Sequence, residues 1–219
     1  DRFGIANYDL LYNGNVDKWI KFANGLKARY TMRLLHVAAD KNAALKAVVD
    51  YANKSFTSAS EEAAFNVYNA QNLNPLFDFQ WSRDGLAASR SLADKFIERN
   101  DPRLDRNFTT AGWDQVTGLK AGTPTYNLLA ENGKNDQVQY KYLTSTFVFA
   151  QTASTQLLSF HEVLFLKAEA LQRLGESSST IEPILKAAVK AAIVNSENSV
   201  EAAFVAPTVK EYGGIIEKS

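Results

Sequence analysis

The chain holds two histidines, His36 and His161, and the second opens the stretch SFHEVLFLKAEALQRLG at positions 159–175. His161-Glu162 is the beginning of the zinc signature H-E-x-x-H, in which two imidazoles one helical turn apart grip the metal and the glutamate acts as base. The fifth position is Phe165, so the second imidazole is missing. A zinc site would have to recruit His36, Glu162 and Glu169 through the fold, whereas a lone histidine beside a helix start reads more simply as a capping or core residue. Glu162 and Glu169 then read as structural carboxylates that pair with Lys or Arg or bond backbone amides. No metal and no cofactor is expected.

Other chemistry is sparse. Asn13, Asn15 and Asp17 alternate as oxygen ligands do in a calcium loop, but Lys18-Trp19 stands where the glycine turn is required and no bidentate Glu follows, so they read as a turn and a helix cap. There is no nucleophile elbow G-x-S-x-G and no glycine-rich phosphate loop. The chain has no cysteine, which excludes disulfides, thiolate metal sites and a cysteine nucleophile. A helical glycoside hydrolase would need two carboxylates facing each other at about 5 to 9.5 Å, and nothing in the spacing of Glu61, Glu62, Asp101 or Asp105 points to that arrangement. Basic and acidic residues balance at 24 each, so no net field draws the chain to nucleic acid or an anionic membrane. No run approaches the roughly 18 apolar residues of a membrane span. The opening DRFGIANYDLL has neither an initiator Met nor a leader pattern, and the chain reads as a piece of something longer.

The elements that must position any site are mostly helical. From Asn15, NVDKWIKFANGLKARYTMRLLHVAA reads as one long amphipathic helix with Trp19, Ala23, Leu26 and Tyr30 on its apolar stripe, widened by Ile20, Phe22 and Leu34. Asn15 is the expected N-cap, and Gly25 in mid-helix implies a close helix approach. A second helix is predicted over 41–53, with Ala44, Leu45, Val48, Val49 and Ala52 inward. The region 56–158 reads as loop-rich, with one or two short strands and a helix over 89–99 that turns Leu92, Phe96 and Ile97 inward and stops at Asn100-Asp101-Pro102. Two further helices, about 159–174 and 180–195, have Gly175 as the C′ residue of the first and Pro183 in the first turn of the second. The six-residue GESSST link makes them an antiparallel hairpin with alanine-rich contacts of the tetratricopeptide-like kind.

Three segments, in order, then carry a resemblance. They are NGNVDKWIKFANGLKARYTMRL (13–34), NPLFDF with SRDGLAASRSLADKFIERNDPRL (74–104), and LLSFHEVLFLKAEALQRLG (157–175). Together they resemble the SusD/RagB family, surface glycan-binding lipoproteins of Bacteroidetes. Trp19, Lys21, Phe22, Ala23, Asn24, Leu26 and Lys27 form the most specific piece. In the family the helix opening usually reads Tyr-Ala-Glu-Val, so Phe160 takes the aromatic place and His161 stands where a small residue is common; the HE pair is incidental. The resemblance runs from Asp9 to about Asn195 and leaves out the family's N-terminal part, with its lipid-bearing cysteine and first helical pairs.

The resemblance implies a mainly α, SusD-like fold with tetratricopeptide-like helix pairs and a loop-rich insertion holding few short strands. It makes 1–219 one SusD-like domain, incomplete at the N-terminus, built from a helical pair at 15–55, the variable region 56–158, a helical hairpin at 159–195 and a tail at 196–219. It also implies a non-enzymatic role, in which a glycan or oligosaccharide is bound at the cell surface and passed to a SusC-like TonB-dependent outer-membrane transporter. Sugar recognition needs aromatic faces for stacking and planar polar groups for adjacent hydroxyls. The candidates are Trp81 with Arg83 and Asp84, Trp113 with Asp114 and Gln115, and Tyr126 with Asn127, all in sequence that reads as loops. Two other readings stay open: a helical-repeat interaction module without a sugar ligand, and a SusD-like binder of peptide or glycoprotein cargo.

Overall fold

A computed structural model of the chain describes residues 4–69, 71–83, 86, 89–101, 103, 108–110, 143–145 and 152–203. It divides into two compact units, one formed by Asp1–Asn66 with Thr155–Val194 and the other by Val67–Ser154 with Asn195–Lys218.

The first unit is built from helix pairs. Helix α1, Val16–Arg33, starts where the Asn15 side chain accepts the Lys18 amide at 3.0 Å, and Asp17 in its first turn suits the positive helix end. It stops earlier than its apolar pattern predicts. Leu34 leaves helical geometry, and a 3-10 turn at Leu35–Val37 carries the buried Leu35 against Leu45 and Val48. Helix α2, Lys41–Asn53, is capped by Asp40 and buries Leu45, Val48 and Ala52. It runs antiparallel to α1: Ala28 meets Leu45 and Val48, while Phe22 meets Ala52 and Phe56.

Strand β1, Ala63–Phe65, pairs antiparallel with the last strand, Thr155–Leu158, which is β4 in chain order; Ala63 stands opposite Leu158 and Phe65 opposite Thr155. Helix α5, Phe160–Leu174, follows directly and packs antiparallel on α2, with Val163 beside Ala52 and Ala170 beside Val48. It closes at Gly175 (φ 82°), with the Glu176 amide on Leu171 O and the Gly175 amide on Gln172 O, a Schellman motif. Helix α6, Ser178–Ala203, turns back so that Ile181 joins Ala168 and Leu171. The hairpin link is thus three residues, 175–177, rather than six, and Pro183 lies inside the helix, beyond the first turn.

The second unit contains α3, Pro75–Arg83, and α4, Arg90–Glu98. Its strands β2, Phe108–Thr110, and β3, Leu143–Ser145, pair antiparallel. Asn74 is buried; its Nδ2 donates to Ala153 O and its Oδ1 accepts the Leu76 amide, both at 2.8 Å. Asn74-Pro75 is therefore an N-cap followed by proline at the first helical position, where no amide partner is lost. On α4 the inward residue is Ala93, whereas Leu92 and Ile97 are exposed, opposite to the expectation from bulk.

The buried face of α1 is also displaced from the predicted stripe. Phe22, Gly25 and Ala28 face inward, while Trp19, Ile20, Ala23, Tyr30 and Leu34 are exposed. The reason is Gly25: a Cβ there would lie 2.3 Å from Leu158 Cδ2 and 2.6 Å from Ser55 Oγ. The approach that glycine permits comes from β4 and the end of α2, with Val163 of α5 at 3.4 Å. Leu158 is 1% exposed and cannot swing aside. In an open helix Gly→Ala stabilises by about 0.5 to 1 kcal/mol, but here overpacking reverses the sign. Gly25→Ala is expected to lose roughly 1 to 3 kcal/mol, read as a lower denaturation midpoint in urea at unchanged slope.

Candidate ligand-binding surface

Trp81 and Arg83 fall on α3, so this part of the candidate set stands on a helix and not on a loop. Asp84, Trp113, Asp114, Gln115, Tyr126 and Asn127 lie outside the described residues. All of these candidates belong to Val67–Ser154, the long segment of the second unit. In the first unit the two ends of that segment leave side by side, because Phe65 and Thr155 are partners across the β1–β4 ladder.

A set of polar contacts fixes this stem. Arg29 on α1 makes a two-pronged pair with Glu162 on α5, Nε to Oε1 and Nη2 to Oε2, each at 2.6 Å, and its Nη2 also reaches Leu157 O at 2.7 Å. Glu62, at the stem's entry, accepts the Phe160 amide at 3.1 Å and Gln156 Nε2 at 3.2 Å, which places a carboxylate at the positive end of α5. Ser159 caps the same helix through the Glu162 amide. Glu61 binds Lys21 Nζ and accepts from the Thr57 amide and hydroxyl, and Ser55 Oγ donates to Lys21 O at 3.0 Å.

A second cluster stands at the start of α1. Asp9 accepts the amides of Leu11, Tyr12 and Gly14 and, at 2.8 Å, the indole Nε1 of Trp19. The Trp19 ring meets Tyr12 edge-on at 5.4 Å, and Tyr12 donates to Glu61 O. The Trp19 bond and those amides hold the Asp9 carboxyl at about 2; Lys21, with help from Thr57, holds Glu61 at about 2. Burial, reinforced by the charges of Glu62, Asp9 and Glu61, pushes the Tyr12 phenol up to about 12.

The motifs that could have carried catalysis have structural partners. Glu162 serves Arg29, Glu169 serves Arg173 one turn on, and His36 Nδ1 faces Arg33 O at 3.1 Å at the end of α1. Asn15 caps α1, and Asn13 (φ 51°) and Gly14 (φ 80°) make the turn before it. Glu61 and Glu62 brace the stem, and Asp101 binds Arg103 at 2.6 Å; Asp105 lies outside the described residues. Among the described residues no three His, Cys, Asp or Glu side chains gather as a metal site would require. None of their helices is long and apolar enough to cross a membrane. The Arg29–Glu162 pair left no local signal in the sequence, because its halves are 133 residues apart. The Asp9–Trp19 bond had one: an Asp placed just ahead of an Asn-Gly-Asn turn.

The family model for SusD-like proteins, described as "Starch-binding associating with outer membrane", matches residues 1–218. The chain belongs to the SusD-like family. A solved SusD/RagB family protein from Bacteroides thetaiotaomicron is 45% identical, with a TM-score of 0.84 over 98% of this chain and 44% of its own. A SusD homologue from the same species shares the fold at 18% identity and TM-score 0.64, covering 90% of this chain and 40% of its own. One from Bacteroides fragilis does so at 19% and 0.63, covering 95% and 46%. No curated protein matches. The chain thus spans less than half the length of these SusD-like relatives, and its own mainly α architecture with few short strands is theirs.

The depressed carboxyls at Asp9 and Glu61 set an acid limit. A carboxyl whose pKa falls on folding adds stability above its unfolded value, here near 4, and loses it as pH drops through about 2. Unfolding midpoints should therefore decline from about pH 4.5 downward, and Glu61→Gln should flatten that decline while lowering the midpoint at pH 7. A Glu61→Gln profile parallel to the parent's would show that Glu61 has no part in it.

Proposed function

We propose that this chain is part of a cell-surface nutrient-binding protein that captures an oligosaccharide or glycan and hands it to a SusC-like TonB-dependent outer-membrane transporter. The observation that carries the reading is the family match from residue 1 to 218, whose description names both starch binding and the outer membrane. The two compact units together are read as one SusD-like domain, a helical scaffold and the segment it presents. Membrane association through a lipid anchor outside these cysteine-free residues belongs to the same proposal.

The physical division of labour supports it. In the scaffold Glu61, Glu62 and Glu162 are occupied in bracing the stem, which fits a binding protein rather than a hydrolase. Trp81, Arg83, Asp84, Trp113, Asp114, Tyr126 and Asn127 all sit in the segment that the stem delivers, and they include the residue types that stack on and hydrogen-bond to sugars.

Affinity electrophoresis against a panel of host and dietary polysaccharides tests the reading, with Trp81→Ala and Trp113→Ala run alongside. One glycan should retard the protein, and at least one Trp variant should lose most of that retardation. If the protein at the length of its relatives is retarded by no glycan and captures no TonB-dependent transporter, the proposal fails.

A further inference from the structure

Three Asn-Gly pairs occur in the chain, at 13–14, 24–25 and 132–133. Asparagine followed by glycine is the pair most open to deamidation, because no glycine side chain shields the amide nitrogen that reacts. That nitrogen loses its proton to solvent base and attacks Asn Cγ. Ammonia leaves with Nδ2, a five-membered succinimide closes, and water opens it to aspartate or isoaspartate. The third pair lies outside the described residues, and the structure separates the first two. We propose that Asn13-Gly14 is a latent deamidation site, held unreacted by the carboxylate of Asp9.

Asn13 is exposed, so ammonia can leave and water can enter. It stands at φ 51° and Gly14 at φ 80°, and the Asn15 amide donates to Tyr12 O at 3.0 Å, the signature of a type I′ turn. The reacting nitrogen is already engaged: the Gly14 N–H donates to Asp9 Oδ2 at 2.7 Å, while Asp9 Oδ1 takes the Leu11 and Tyr12 amides. Attack on Asn13 Cγ requires that this bond break and that the 13–14 peptide rotate out of the turn. It also requires an amide anion beside a carboxylate, which like-charge repulsion disfavours. Asp9 is no base for the step, because the Trp19 indole and the backbone amides hold its carboxyl at about 2. The 3-10 turn Ile5–Tyr8 lies against the glycine, with Ala6 Cα only 3.2 Å from where a Cβ on Gly14 would stand, and so restricts the rotation. At the second pair, Asn24 Nδ2 is used by Ile20 O at 2.9 Å, and Gly25 is buried within α1 against Leu158 and Ser55. Reaction there requires loss of the helix and its core, whereas Asn13-Gly14 requires only a local opening. Either product would put a second carboxylate into the turn whose amides Asp9 binds, and isoaspartate would also lengthen the main chain by a methylene at the entry to α1.

Trypsin places the two pairs on separate peptides, FGIANYDLLYNGNVDK (3–18) and FANGLK (22–27). Mass spectrometry after incubation of the 219-residue chain at mildly alkaline pH therefore reads each site by itself. Asn13 should react before Asn24, and roughly tenfold or more slowly than in the free 3–18 peptide under the same conditions. Asp9→Ala should speed the reaction at Asn13 by a similar factor and leave Asn24 unchanged. A chain that reacts at Asn13 as fast as the free peptide overturns the proposal, and so does reaction at Asn24 first. An Asp9→Ala variant in which both sites accelerate alike, or neither does, overturns the part given to Asp9; the comparison with the free peptide needs no variant. The readout does not involve glycan and so stands or falls separately from the binding reading.

Discussion

The structure depends on a missing side chain. At Gly25 the backbone of α1 lies against Leu158, the last residue of β4, and against Ser55, just past α2. That contact joins the beginning of the chain to the part that resumes after the long segment 67–154, and the core formed by Tyr12, Phe22, Ala52, Phe56, Ala63, Leu158 and Val163 closes around it. Without the close approach α5 could not sit on both α1 and α2, and the β1–β4 stem would have no floor. Helix propensity opposes glycine at this position, so its presence is explained only by packing.

The polar contacts around that core act differently. Arg29–Glu162 and Lys21–Glu61 are partly exposed pairs whose net contribution is moderated by solvent. Their geometry matters more than their strength. A two-pronged guanidinium that also binds Leu157 O fixes the direction in which β4 enters α5, and Glu62 on the Phe160 amide fixes β1 to the same helix start. Charges that would otherwise be candidates for catalysis are thereby committed to orientation.

How much of this the sequence disclosed depends on how local the cause is. The α2 boundaries, the Asn15 cap and the Gly175 terminator are set by neighbours within a turn and were readable. The inner face of α1 was not, because periodicity weighs hydrophobic bulk, and the face that packs most closely carries glycine and alanine. Of the bulky residues on the predicted stripe, Phe22 and Leu26 lie in or against the core, whereas Trp19, Ile20, Tyr30 and Leu34 form the opposite face. Helix α3 does not stand out in the sequence although Asn74-Pro75 announces its start, because the asparagines and aromatics around it read as loop composition. Of the ligand candidates, Trp81 and Arg83 are placed on that helix, and a site that joins them to residues such as Trp113 rests on long-range placement that no local pattern encodes.

The stem bears on the proposal that recognition resides in the segment between its strands. Phe65 and Thr155 are ladder partners, so the ends of 67–154 are held together by the scaffold whatever lies between them. The entropy of closing such a loop rises only by about 0.6 kcal/mol for each doubling of its length. Among the described residues, the hydrophobic clusters of the first unit are drawn from residues before Asn66 and after Ser154. In the proposed arrangement the segment between the strands varies what is bound, whereas a substitution at Gly25 or Leu158 acts on the core beneath the stem.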